Sequence, residues 1–303
     1  MSWVFMADDW VLKLKKPVKR AFLDFSTVDA RHFFCSEEVR LNRRLARETY
    51  RGVKPLYADL SGNLTLEERG TAVDWVVEMR RLPEADMLDR RIKARDLVPT
   101  QLFDVAEKLV CFYAQCQPQT ADGYVGHLLE EHDRTRTILL RPEFELETGD
   151  VAALLEGVGW GLQAMCSTIE ERMKSGNLVE GHGDLRPEHI CLVGTPQIID
   201  CLEFNRSLRL VDPYDEIGYL ALECEALGAA WIGPIFFAAL ERRLANRPCD
   251  RLIAVYGGFR ALLRARLCLA HLLETPLREP EKWRPLALAY LKLARARLSL
   301  IVS

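Results

Sequence analysis

"GHGDLRPEHICL", residues 181–192, sets His182, Gly183 and Asp184 ahead of a short apolar segment that begins at Ile190. "PQIIDCLEFN" (196–205) follows closely and closes a second apolar segment on Asp200, sixteen positions after Asp184. Acids at strand ends are often only turn formers. The other reading is that folding gathers both carboxylates at one cleft. The order of the elements on either side decides between these readings.

Upstream, "SWVFMADDWVLKLKKPV" (2–18) reads as two strands joined by an acidic turn. A period of two places Lys13 and Lys15 on one face of the second strand and Leu12 and Leu14 on the other. "STVDARHFFCSEEVRLNRRLA" then opens with a Ser/Thr cap signal and sets Phe34, Glu38, Leu41 and Leu45 at helical spacing. Extended chain follows in "VKPLYADLSGNLTL", turning at Ser61-Gly62-Asn63, and in "TAVDWVVEMRRLP", a strand stopped by Pro83. Beyond it the spacing predicts helices in "ADMLDRRIKARDL", "PTQLFDVAEKLVCFYAQC" and "VAALLEGVGWGLQAMCSTIEERMKSG", the last one unbroken and closed by Gly176. Four more are predicted after residue 212, in "YDEIGYLALECEALG", "PIFFAALERRLA", "DRLIAVYGGFRALLRARLCLAHLLE" and "EKWRPLALAYLKLARARLSLIVS". Strands first and helices later predict an α+β fold with an N-terminal β-rich lobe over residues 1–82 and a helical C-terminal lobe over 83–303.

Composition narrows the function. At 303 residues, 49% apolar and 28% charged, the chain can bury a large core. A net charge of −3 gives no general attraction to nucleic acid. None of the nine cysteines forms a C-x-x-C pair, and several lie in apolar runs, so reduced thiols in a cytoplasm are expected. No signal-peptide pattern opens the chain, and its longest apolar stretch, "LGAAWIGPIFFAAL" (227–240), is too short to span a bilayer. The expectation is a cytoplasmic protein with no membrane or nucleic-acid partner.

The ordered set is a strand lysine, a helix glutamate, a strand–Pro junction, H-G-D, a strand ending in Asp, and "DPYD" (212–215). This set resembles the aminoglycoside phosphotransferase-like branch of the protein-kinase-like fold, and within it a poorly defined bacterial group. Stretches such as "SWVF", "KLKKPV", "LDFST", "EVRLNRRL", "CLEFN" and "YGGFRALLRAR" carry the likeness from residue 2 to about 270. The resemblance implies a two-lobe fold whose small lobe lacks the first strand and the phosphate-covering turn. It also implies transfer of the γ-phosphoryl group of ATP to a hydroxyl of a small molecule that it does not identify.

By the same resemblance, Asp184 orients and deprotonates the acceptor hydroxyl, and His182 holds the loop under Gly183. Asp200 is a ligand of Mg²⁺, and His189 stands where the family has a metal-binding Asn. Imidazole suits Mn²⁺ better than Mg²⁺, so His189 either ligates a metal or donates a hydrogen bond to phosphate. Lys13 or Lys15 touches the nucleotide phosphates with Glu38 as tether. The backbone of Glu78, Met79 and Arg80 meets an adenine, and Asp215 supports the catalytic loop. Glu223 and Glu225 read as a solvated helix face, with contact to a cationic substrate as the alternative.

The chemistry requires these residue types. Phosphoryl transfer depends on positioning and on cations around spreading negative charge, so it needs hard oxygen ligands and an oriented carboxylate. The competing reading of the same features is a nucleotide-binding pseudokinase or scaffold with weak catalysis, pointed to by His189. Protein phosphorylation fits less well, because only eleven residues separate Asp200 from Asp212.

Overall fold

The computed structural model describes residues 1–20, 23–59, 61–274 and 279–302. In chain order the first elements are β1 (Ser2–Met6), β2 (Trp10–Lys15), β3 (Lys19–Arg20), β4 (Leu23–Asp24), α1 (Val28–Asn42), β5 (Tyr50–Ala58), β6 (Leu64–Thr65) and β7 (Thr71–Arg80). Then come α2 (Leu88–Ala94), α3 (Phe103–Gln115), α4 (Tyr124–Leu139), α5 (Thr148–Ala164), α6 (Cys166–Lys174), β8 (Val179–Glu180), β9 (Ile190–Cys191) and β10 (Gln197–Ile198). The chain closes with β11 (Leu210–Val211), α7 (Pro213–Ala226), α8 (Ile232–Arg243), α9 (Asp250–His271) and α10 (Pro280–Val302). The fold is α+β, with an antiparallel sheet in the N-terminal region and a helical C-terminal part. Packing divides it into two compact units, Met1–Gln115 with Gly181–Leu210, and Cys116–Glu180 with Val211–Ser303.

In the first unit the sheet runs β1-β2-β7-β5-β6, all neighbours antiparallel. The expected hairpin is present: β1 and β2 pair from Ser2 opposite Lys15 to Met6 opposite Val11. Pro55 sits in β5, where β6 reaches only Tyr57 and Ala58, so its missing N–H falls on strand that is otherwise an edge. Thr27 caps α1 by accepting the Ala30 N–H at 3.1 Å, a bond worth about 1 kcal/mol at a helix start. Helix α1 then lays Cys35 and Val39 against Tyr50, Val77 and Met79 of the sheet. Each such apolar side chain removed from water contributes roughly 1.5–3 kcal/mol. The two short apolar segments form β9 and β10, an antiparallel pair with Ile198 opposite Ile190.

The second unit is helical. Two details depart from the sequence reading. The long helix expected from Val151 is broken at Met165 (φ −98°, ψ 1°) into α5 and α6, and Gly176 (φ +81°) follows the second. Helix α4 was not foreseen. Its buried residues are Tyr124, Val125, Leu128, His132, Thr135 and Leu139, and His132 and Thr135 among them are polar. Among the described residues, no helix is long and apolar enough to cross a membrane.

Candidate functional site

The first unit gathers Lys13, Lys15, Glu38, Asp200 and Glu203 into one ionic cluster. The period of two on β2 aims both lysines at α1, where Glu38 is 1% exposed and receives both. Lys13 Nζ lies 2.6 Å from Glu38 Oε1 and 2.7 Å from Asp200 Oδ1. Lys15 Nζ lies 2.7 Å from Glu38 Oε2 and contacts Glu203 on its other side. Exposure separates the two lysines. Lys15 is sealed at 1%, whereas Lys13 keeps 17% of its side-chain surface and its partner Asp200 keeps 51%. Lys13 is thus the lysine a solute can reach.

Five charges in contact shift one another. Burial opposes the ammonium of Lys13, but Glu38 and then Asp200 outweigh it and hold its pKa well above the ordinary lysine value. Asp200 is held well below the usual carboxylate range, chiefly by Lys13. Burial would raise Glu38, yet Lys13 and Lys15 together lower it. Glu203 moves the other way, raised first by burial and then by the nearby Glu38 charge. With three carboxylates for two lysines, the cluster has one acid more than its cations neutralise.

Asp184 reaches the same neighbourhood through the loop that precedes β9. His182 is fully buried, and its Nε2 faces the Ile199 carbonyl at 2.8 Å, so that nitrogen carries the proton. Its Nδ1 then accepts the Asp184 N–H at 3.3 Å. Burial, followed by the adjacent His189, pushes its pKa down to about 4, which keeps the imidazole neutral. One neutral ring therefore ties the Asp184 backbone to the strand that delivers Asp200. Gly183 has φ +87°, and a Cβ there would lie 2.9 Å from Arg209 Cβ and 3.2 Å from Arg209 Cα, so the turn requires glycine.

His189 is a second tie. Its Nδ1 faces the Asp184 carbonyl at 2.8 Å and so holds the proton, leaving Nε2 as an acceptor 3.7 Å from Asp200 Oδ2 and 3.3 Å from Arg186 Nη2. That pair of donors, one carboxylate oxygen and one imidazole nitrogen, fits a divalent ion that fills its remaining positions with water and phosphate oxygens. Among the described residues there is no group of three or more His, Cys, Asp or Glu side chains that could hold a metal by themselves.

Several residues of the site were not singled out from sequence. Arg186 pairs with Asp184 Oδ2 at 2.9 Å and with Glu188 at 2.6 Å. Asp200 adopts a left-handed φ of +65°, and its N–H donates to Tyr50 Oη at 3.2 Å. The next N–H, of Cys201, donates to Asn42 Oδ1 at 2.9 Å, while Asn42 Nδ2 donates to the Glu38 carbonyl. Arg44 donates to the Gly181 carbonyl at 2.8 Å. Of these, Glu203 and Arg186 carried a signal in their spacing, three and two positions after an acid of the motif.

The other expected residues have partners of their own. Glu78, Met79 and Arg80 run inside β7, opposite Leu12, Val11 and Trp10 of β2, and the Arg80 N–H is bonded to the Thr49 carbonyl. The Glu78 side chain pairs with Lys54 at 2.9 Å. Asp215 is in the first turn of α7 in the second unit, gripped by both Nε and Nη2 of Arg260. Glu223 and Glu225 do not form a solvated face. Glu223 is 5% exposed, bonded to Arg264 and Tyr290 at 2.8 Å each, and Glu225 is paired with Arg297. Helical spacing places residues on one side without saying whether a neighbouring helix supplies the arginines.

Comparison with known proteins bears on the fold. Uncharacterised proteins of Mycobacterium tuberculosis and Mycobacterium bovis are each 31% identical over 306 residues, covering 98% of this chain. The chain spans 60% of the length of these curated relatives. No protein-family model matches it. Among solved structures, a choline/ethanolamine kinase family protein of Mesorhizobium loti is similar with a TM-score of 0.55 at 18% identity, covering 98% of this chain and 85% of that one. An ethanolamine kinase of Plasmodium vivax gives 0.48 at 10% identity, over 97% and 75%. The likeness to the Mesorhizobium protein shows a protein-kinase-like fold.

Proposed function

We propose that the chain is an ATP-dependent phosphotransferase whose acceptor is a hydroxyl group of a small molecule. The observation that carries this reading is the reachable Lys13, anchored by Glu38 and touching Asp200, beside a loop that His182 and His189 tie to the Asp200 strand. That arrangement supplies what transfer of a phosphoryl group needs: a fixed cation, a metal-binding carboxylate and a positioned base. The fold likeness to a choline/ethanolamine kinase family protein agrees with it.

In this reading Lys13 neutralises phosphate oxygens while Glu38 fixes its stem, and Lys15 is a buried brace between Glu38 and Glu203. Asp184 accepts the proton of the acceptor hydroxyl as its oxygen bonds to the γ-phosphorus and the bridging oxygen departs with ADP. Arg186 keeps the Asp184 carboxylate oriented. A divalent cation, Mg²⁺ or Mn²⁺, held by Asp200 and His189, would supply neutralisation of the charge that spreads over the phosphate.

Melting curves with ATP plus Mg²⁺ or Mn²⁺ test the binding half, because a ligand of the native state raises its melting temperature. Single-turnover assays with γ-labelled ATP and a panel of amino-alcohol and sugar acceptors test transfer. Label should move to an acceptor or, slowly, to water. An unshifted melting curve together with no loss of label from ATP would reject the proposal.

A further inference from the structure

One lone pair in the candidate site has two claimants, and the local fold brings them together. "RPEH" (186–189) forms a short 3₁₀ turn over Pro187–His189, with Arg186 as the residue that caps its start. Pro187 sets the backbone for the first position of the turn, and the His189 N–H bonds to the Arg186 carbonyl at 2.9 Å. In 3₁₀ geometry the side chains of residues i and i+3 eclipse, which puts Arg186 beside His189.

With Nδ1 donating to the Asp184 carbonyl, His189 presents a single acceptor, the Nε2 lone pair. Arg186 Nη2 lies 3.3 Å from that nitrogen, and Asp200 Oδ2 lies 3.7 Å from it. The same Nη2 is 2.9 Å from Asp184 Oδ2, while Nη1 is 2.6 Å from Glu188 Oε1. One guanidinium therefore touches the acid assigned to the acceptor hydroxyl and the imidazole assigned to the metal. A single lone pair cannot serve an N–H and a divalent ion at once, and the guanidinium repels the ion besides.

We infer that Arg186 is a catalytic residue that changes partner when the site is loaded: Nη2 releases His189 and donates to a non-bridging oxygen of the γ-phosphoryl group. This rests on the phosphotransferase reading. Glu188 and Asp184 keep the rest of the guanidinium in place, so one N–H changes its acceptor and the others stay. Arg186 forms no bond to phosphorus. The acceptor oxygen bonds to the γ-phosphorus, its proton passes to Asp184, and the bridging oxygen leaves with ADP. The charge of Arg186 lies beside the oxygens over which negative charge spreads in that exchange.

Burial drives the change of partner. The side chains of Arg186 and His189 are 20 and 8% exposed, so an N–H released there meets little water and needs another acceptor. A phosphoryl oxygen is the anionic acceptor that arrives together with the ion, and hydrogen bonds between ionised groups are the strong ones. The two states of Arg186 thus follow from one nitrogen: bonded to His189 while the site waits, bonded to phosphate once that nitrogen is taken.

Mn²⁺ binding to the nucleotide-free protein, followed by loss of the free-ion electron paramagnetic resonance signal, has opposite signs for a brace and for a competitor. Arg186→Met should tighten Mn²⁺ binding several-fold, because His189 no longer gives up a partner. In a His189→Ala background the same change should alter Mn²⁺ affinity by no more than about twofold, the scatter of uncoupled sites. Label transfer at saturating Mn²⁺ should nevertheless fall by about 10³-fold, as for other arginines at a transferring phosphoryl group. Arg186→Lys serves if the methionine disturbs the loop. One ammonium cannot hold Glu188, Asp184 and a phosphoryl oxygen together, so it should show both shifts in smaller measure. Mn²⁺ binding that weakens or stays unchanged in both variants overturns the inference. So does tightening that persists without His189, or transfer that survives at saturating Mn²⁺. A parent protein that binds Mn²⁺ and transfers label, with variants that fail these tests, loses this inference alone. A parent with neither property loses the phosphotransferase reading, and this inference with it.

Discussion

The ionic cluster of the first unit and the ion pairs of the second are built from different parts. Three buried acids of the second unit are each gripped at two points by one guanidinium: Asp215 by Arg260, Glu223 by Arg264 and Asp212 by Arg172. A planar fork matched to a carboxylate has few other arrangements, and these pairs lock helices together. In the first unit two lysines serve three carboxylates, each contact is single, and the outer pair stays open, with Asp200 half exposed. An ammonium on a flexible stem can change partners. The closed pairs suit architecture, and the open cluster suits exchange of its own contacts for those of an incoming anion.

The largest expected effect follows from that difference. Asp200→Asn keeps a side chain that tolerates the left-handed φ while removing the charge. Transfer should fall by about 10³-fold or more, equivalent to about 4 kcal/mol of transition-state stabilisation. The melting temperature should hold, since a half-exposed acid contributes little to the core. Parallel assays of label transfer and thermal unfolding read both quantities. A variant that unfolds but stays active per folded molecule would place Asp200 with the closed pairs.

Lys15→Met and Arg260→Met come next and should behave alike. Lys15→Met leaves Glu203 without its cation and Glu38 with Lys13 alone, and Arg260→Met leaves Asp215 without its guanidinium; each change destabilises by about 3–5 kcal/mol, read from urea unfolding. Adding Asp215→Leu to Arg260→Met should recover most of the loss, because the second change removes the stranded charge. A Lys15→Met chain as stable as the parent would show that the inner lysine also belongs to the exchangeable part.

A pH experiment separates the closed core further. Burial lowers the pKa of His132 on α4, whose Nε2 is bonded to the Leu155 carbonyl at 2.9 Å. The folded state then holds it neutral while the unfolded chain takes up a proton near pH ~6.5. Its contribution to stability is present above that pH and lost as the pH falls toward the folded value. Melting temperatures should drop from about pH 7 to about pH 5, and part of that drop should vanish in His132→Gln. An unchanged slope would mean the ring is not kept neutral by its surroundings.

Sequence carried the order of the candidate site further than its wiring. The H-G-D turn and the strand ending in Asp200 are short local patterns, and each is readable because glycine geometry and strand alternation leave marks within a few residues. Alternation also put Lys13 and Lys15 on one face, but a period of two cannot choose between them. What separates them is Glu203, whose bond to Lys15 joins residues 188 positions apart. Helix α4 was hidden for a related reason: His132 and Thr135 hold core positions that a search for apolar spacing passes over. Glu223 and Glu225 misled in the opposite sense, since their arginine partners come from later helices.

The smallest effect tests what keeps the open cluster in order. Asp200 needs a backbone conformation that costs a non-glycine residue about 1–2 kcal/mol, so its surroundings must impose it. Tyr50 Oη accepts the Asp200 N–H from β5, and Asn42 holds the following N–H from the helix that also carries Glu38. Tyr50→Phe deletes one hydroxyl from a side chain that is 1% exposed and should destabilise by about 1 kcal/mol. If the hydroxyl also positions Asp200, the metal concentration needed for half-maximal transfer should rise several-fold while the rate at saturating metal changes little. A loss of stability with metal dependence unchanged would leave Tyr50 as core alone. The burden of shaping the turn would then fall on Asn42, for which Asn42→Ala is the matching experiment.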